Sequence, residues 1–191
     1  MKLTLQHAIA AALLMSLAAP VLAGPLEEGR EAASQGDYGT ALRLLNPLAA
    51  EGNADAQVVL GKMYETGQGV AKNEAEAARW YRKAADQGDA QAQYNLGIMY
   101  DFGQGVPQSS AEAARWYSKA ADQNHALSQY NLGLMYTHGR GVPKDLVEAH
   151  KWLNLAGDLA AVKYRDMVAQ HMTPAQIAEA QKLAREWKPT K

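Results

Sequence analysis

Cysteine is absent from the 191 residues of this chain. That absence excludes disulfides, thiolate metal sites, thiol nucleophiles and lipid attachment at cysteine, so the fold must be held by packing alone. A surplus of one charge is missing as well: 19 lysines and arginines stand against 20 aspartates and glutamates, a formal net charge of -1. Phosphate binding needs a clustered basic surface, so no nucleic-acid partner is expected. The apolar run from Ala8 to Ala19 stops well short of the roughly 20 residues that a membrane span requires. Catalytic constellations are also scarce. His125, His138, His150 and His171 show no HExxH-like pairing. The Gly-x-Gly segments lack the lysine and further glycines of a nucleotide loop. Of the neighbouring carboxylates Glu74 and Glu76, the second already has a place in a helix start. No catalytic residue, metal or cofactor is expected. What is present is apolar material, 48% of the chain, ample for the core of one ordinary domain.

The first segment reads as an export signal. Lys2 supplies a positive start, the Ala8–Ala19 run follows, Pro20 breaks it, and Val21-Leu22-Ala23 offers a cleavage site. The mature chain is expected to begin at Gly24, periplasmic or secreted, with no stable membrane insertion after cleavage.

The rest of the chain repeats. Trp80, Trp116 and Trp152 lie 36 residues apart, as do Tyr64, Tyr100 and Tyr136. Residues 76–88 and 112–124 differ only at Arg82/Ser118 and Gly88/Asn124, and a third copy starts at Glu148 before diverging. Each period predicts two helices. In the first, such as Ala90 to Asp101, the residues Ala92, Leu96, Met99 and Tyr100 fall at helical spacing. A glycine recurs mid-helix at Gly61, Gly97 and Gly133, where it costs about 1 kcal/mol relative to alanine, so a close approach by the partner helix is expected there. The loops Gly67-Gln68-Gly69-Val70, Gly103-Gln104-Gly105-Val106 and Gly139-Arg140-Gly141-Val142 offer a left-handed stop and a valine turned back to the core. The second helix starts on Asn73, Ser109 or Asp145, each followed three residues later by glutamate, which predicts a capping box in every copy. Along it Ala77, Trp80, Tyr81 and Ala84 make the apolar stripe, with Arg79, Arg82 and Lys83 mostly off it. Gly88 and Asn124 are left-handed stops.

These residues carry a resemblance. Leu96-Gly97-Ile98-Met99-Tyr100, the Gly103–Val106 loop and the Ala113–Ala121 helix together resemble the Sel1-like repeat, a relative of the tetratricopeptide repeat with a longer loop. The resemblance covers about residues 54–160 in three copies, 54–89, 90–125 and 126–160. It implies an all-α fold, a right-handed superhelical solenoid of antiparallel helix pairs, that binds a protein or peptide client. The alternative it leaves is a peptidoglycan- or β-lactam-directed binder or hydrolase, after cysteine-rich exported relatives whose cysteines are missing here. If the first helices line the concave side, the groove residues are Asp55, Val58, Val59 and Lys62, then Gln91, Tyr94, Asn95, Ile98 and Phe102, then Leu127, Tyr130, Asn131, Leu134 and His138. Two readings of Tyr94, Tyr130, Ile98 and Leu134 stay open: client contact, or packing between neighbouring repeats.

The flanks read as end pieces. Residues 24–53 form a degenerate helix pair turning at Asp37-Tyr38, and Pro47, at about 3 kcal/mol inside a helix, predicts a kink or break near Asn46. Gly157 is expected to end the third second-helix early. In residues 161–191, Thr173, Pro174 and Gln176 start a helix whose Ile177, Ala180, Leu183, Ala184 and Trp187 should lid the array.

Overall fold

The computed structural model describes residues 24–190, so the expected export segment, residues 1–23, lies outside the described residues. Among these the chain forms ten α-helices and no strand. They are α1 Pro25–Gln35, α2 Tyr38–Ala50, α3 Ala54–Thr66, α4 Glu74–Asp86, α5 Ala90–Phe102, α6 Ser110–Asp122, α7 Ala126–His138, α8 Leu146–Ala156, α9 Leu159–Ala169 and α10 Pro174–Glu186. The pairs α1/α2, α3/α4, α5/α6 and α7/α8 pack as antiparallel hairpins, and each second helix also packs on the first helix of the next pair. The right-handed all-α solenoid implied by the resemblance is the fold of the chain.

Each element boundary has a local cause. The first helices start on side-chain caps that the sequence reading left unnoticed: Asn53, Asp89 and His125 accept from the backbone N–H of Ala56, Ala92 and Ser128 at 2.9, 2.6 and 3.3 Å. They end on glycines in the left-handed region, such as Gly103 at φ 69, whose N–H donates to the Met99 carbonyl. The second loop glycine has a different job. A Cβ on Gly105 would lie 2.2 Å from the Glu74 carbonyl oxygen, and one on Gly141 2.1 Å from that of Ser110. Each loop therefore abuts the start of the preceding repeat's second helix, backbone against backbone.

The expected capping boxes are only half formed. Asn73, Ser109 and Asp145 accept from the N–H of Glu76, Glu112 and Glu148 at 3.1, 3.2 and 3.0 Å. The return bond is absent because each cap's own N–H donates to a carbonyl of the preceding helix: Tyr64, Tyr100 or Tyr136, at 2.9, 2.8 and 3.0 Å. The freed carboxylates turn to Arg79, Arg115 and the Trp152 indole N–H. Among the described residues only Thr173 with Gln176 closes a full box. Nor does Pro47 break α2, which runs unbroken to Ala50. Pro47 lies on the exposed side, where water can satisfy the carbonyl that the missing N–H leaves free.

The mid-helix glycines make the close approach the sequence predicts. A Cβ on Gly97 would lie 2.6 Å from the ring of Tyr117, which is buried on α6, and Gly61 meets Tyr81 in the same way. Tryptophans fill the seams between successive second helices: Trp116 packs with Ala77, Tyr81 and Ala84 of α4, and Trp152 with Ala113 and Tyr117 of α6. Arg82, expected off the apolar stripe, instead bridges repeats. Its guanidinium bonds the Tyr100 hydroxyl and lies 5.4 Å from the centre of the Trp116 ring.

A buried glutamine ladder also joins the repeats. Gln57, Gln93 and Gln129 donate to the carbonyls of Ala49, Ala85 and Ala121 at the end of the preceding second helix, at 3.0, 3.2 and 3.2 Å. The side-chain oxygens of the first two accept from Gln87 and Gln123 at 2.8 Å.

At the C-terminal end α8 stops at Ala156 before Gly157, in the left-handed region as expected. The segment between Gly157 and Thr173 becomes α9, which packs on α8 as the next first helix would. The face of α10 expected to cover the array, Ile177, Ala180, Leu183, Ala184 and Trp187, is its buried and half-buried side. The helix packs chiefly on α8, Trp187 stands edge-on to Trp152 at 6.2 Å, and the N–H of Thr190 donates to the Asp122 carbonyl of α6 at 2.8 Å. The C-terminal tail is a strap running back over two repeats.

Candidate client-binding face

The period of 36 superimposes the predicted groove positions. Val58, Tyr94 and Tyr130 are one site in three copies, and so are Lys62, Ile98 and Leu134. On the helices none of these is fully buried, and none except Lys62 is fully open. Each member of the first set leans toward the next repeat: Val58 on the cluster of α4 and α5, Tyr94 on that of α6 and α7, Tyr130 on that of α8 and α9. The Tyr94 ring centre lies 6.0 Å from that of Tyr117 and 4.8 Å from that of His125. Tyr130 stands edge-on to Tyr164 of α9 at 5.7 Å. Burial pushes both phenols above their ordinary pKa. The two readings of these tyrosines therefore coexist, since one side of each ring packs between repeats while part of it stays open.

The polar positions are more committed. Burial, with Glu65 beside one and Asp101 near the other, raises the pKa of Tyr81 and Tyr117, and Asn95 and Asn131 reach these two hydroxyls from the next first helix. Asn95 also accepts from Gln91 at 3.0 Å. Lys62 pairs with Glu65 at 3.0 Å, and Glu65 accepts the Tyr81 hydroxyl at 2.9 Å. These amides and this lysine form an internal network before they meet any client. Val59 is half-buried against the α2–α3 core; Asp55, Gln91 and His138 are exposed. Phe102, 67% exposed at the end of α5, and Leu127, 50% exposed at the start of α7, are the apolar residues with least cover on this face. Sequence reasoning missed Tyr164 and His125 as members of it. Tyr164 lies in a segment whose path local pattern did not specify, and His125 hid behind its role as a cap.

Comparison with known proteins gives this geometry a family. The Sel1 repeat matches residues 54–89, 90–125 and 126–160. No curated protein matches the chain. A Sel1 repeat protein from Oxalobacter formigenes is similar in structure, with a TM-score of 0.66 and 34% identity over 82% of this chain and 72% of that one. The protective antigen c5321 of uropathogenic Escherichia coli strains, which displays an SLR fold, is similar at a TM-score of 0.60 and 28% identity, over 85% of this chain and 45% of its own. Three tandem family matches over more than half the sequence, on helix pairs built as above, make this chain a member of the Sel1 repeat family.

Proposed function

We propose that the protein is an interaction scaffold that binds a protein or peptide client along the open face of its first helices, in the cell envelope or outside the cell. It acts by binding and not by turnover. One observation carries the reading: a run of partly open apolar side chains, from Val58 through Tyr94, Ile98 and Phe102 to Leu127, Tyr130 and Leu134, crosses three repeats on one face. Contact of this kind, aromatic and aliphatic with a few amides at the side, is what protein interfaces are built from. The Ala8–Ala23 pattern supports export, and the intact mass of the secreted product should begin at Gly24.

Phe102 and Leu127 give the cleaner test because changing them leaves the packing of Tyr94 and Tyr130 untouched. Replacing both by aspartate should weaken client capture at least about tenfold, as loss of interface anchors does, at an unchanged melting temperature. Arg79→Ala with Arg115→Ala, on the exposed side of the second helices, should leave capture intact. The reverse outcome would move the client to the second-helix side.

A further inference from the structure

The repeat pattern lapses at one place in a way that leaves a pocket. Between the end of α7, the loop into α8, and α9 lies a cavity of about 280 Å³. Its lining combines apolar Leu146, Met167 and Val168 with Lys144, His138 and His171, and includes no carboxylate. Tyr164 lines it too, and the same ring stands against Tyr130. The pocket is thus continuous with the client-binding face.

The charge of Lys144 is free because of two substitutions against the repeat. Lys72, its counterpart in the first copy, pairs with Glu74 at 2.8 Å. The residue matching Glu74 in the third copy is Leu146, and no described carboxylate lies within ion-pair distance of Lys144. The charge of Glu65 also acts on Lys72; its match in the third copy is Thr137, whose hydroxyl donates to the Gly133 carbonyl at 2.8 Å. An ammonium and two imidazoles, each able to donate, therefore share a lining with apolar side chains and no carboxylate.

We propose that this pocket takes the C-terminal residue of a peptide, its carboxylate on Lys144, His138 and His171 and its apolar side chain on Leu146, Met167 and Val168. The inference rests on the scaffold reading above and adds chain polarity to it: the client ends at α9. The lining selects this occupant, since it offers one ammonium and two imidazoles beside apolar side chains and no carboxylate. A monocarboxylate matches one ammonium, and the apolar side chains exclude a second charge.

The test uses the full chain and an array of labelled hexapeptides that differ in the last residue, each as free acid and as C-terminal amide, read by fluorescence anisotropy. Free acids ending in leucine, methionine or phenylalanine should bind at least tenfold more tightly than their amides and than free acids ending in aspartate. Lys144→Gln should erase that preference without loss of fold, because Gln108 already holds the matching position in the second copy. Lys72→Gln should change nothing. Equal binding of acid and amide, binding of sodium octanoate without binding of any peptide, or an unchanged preference in Lys144→Gln would each overturn the assignment. Phe102→Asp with Leu127→Asp, run in parallel on client capture, separates the two claims. Capture lost there but kept in Lys144→Gln, with no acid preference, removes the pocket and leaves the scaffold.

Discussion

The junction between the first two repeats and the end of the third are built from the same sequence motif but are not equally complete. At the first, Gln93 has both its donor and its acceptor satisfied and Tyr117 closes over Gly97. At the second, the Gln129 side-chain oxygen is buried without a partner, because residue 159, where a third bridging glutamine would stand, is Leu159, 73% exposed. Tyr117 gives way to Leu153 over Gly133, and Asp101 to Thr137. A repeat array stabilises itself through neighbour contacts, so a glutamine whose next copy is irregular loses its bridging donor; the indole N–H follows the opposite order, paired to Glu148 in Trp152 but buried without a partner in Trp80 and Trp116. Of these positions Thr137 lines the pocket beside Lys144.

The sharpest way to break the comparison is to empty the tryptophan seam. Trp116→Ala should cost about 3 to 5 kcal/mol, as for a fully packed aromatic, whereas Trp80→Ala, whose ring is half-buried against the N-terminal pair, should cost clearly less. Denaturant melts of both variants check it. Equal costs would mean that the N-terminal pair seals its neighbour as tightly as a true repeat does.

A smaller effect addresses the ladder. Gln93→Leu leaves the Ala85 carbonyl and the Gln123 amide without their partner, at about 1 to 3 kcal/mol for a buried polar group. Gln129→Leu removes one bond to Ala121 and one to Asn124 but also an unpartnered buried oxygen, so its cost should fall below that of Gln93→Leu. If Gln129→Leu proves the more damaging, the third rung is not the weaker one.

The smallest effect is one of pH. Burial holds the His125 imidazole below its ordinary pKa of 6.5, with Asp89 opposing; burial and then Arg165 do the same for His150. Between the lowered folded values and 6.5 the unfolded chain binds more protons than the folded one. Stability is then full above that range and falls as pH drops through 6.5. Melting temperature should decline on acidification, and His125→Asn should reduce the decline, because Asn53 makes the same cap in the first copy. An unchanged decline in that variant would assign the effect to other groups.

Much of the architecture was legible in the residues. Gly103, Gly88 and Asn124 as left-handed stops, the early end of α8 at Gly157, and the close approach at Gly97 all follow from local backbone chemistry, and the structure shows each. What local pattern left out shares a cause. The half-formed boxes at Asn73, Ser109 and Asp145, the bridge made by Arg82 and the strap made by the C-terminal tail depend on partners far along the chain. Helical periodicity cannot see these. On the candidate face the structure leaves Tyr94 and Tyr130 each partly packed and partly open, a division that the sequence could not make.

What the sequence alone determined is therefore the period, the helix ends and the face on which the apolar strip lies, because these are set by residues within a turn or two of one another. Only the tertiary structure decided which of the strip's polar groups are already spent on neighbours, that the glutamines form a ladder, and that Lys144 faces an apolar pocket unpaired. Those outcomes depend on stacking one repeat against the next. The free energy of a buried amide or a lone ammonium is set by what the next copy brings to it and not by the residue itself.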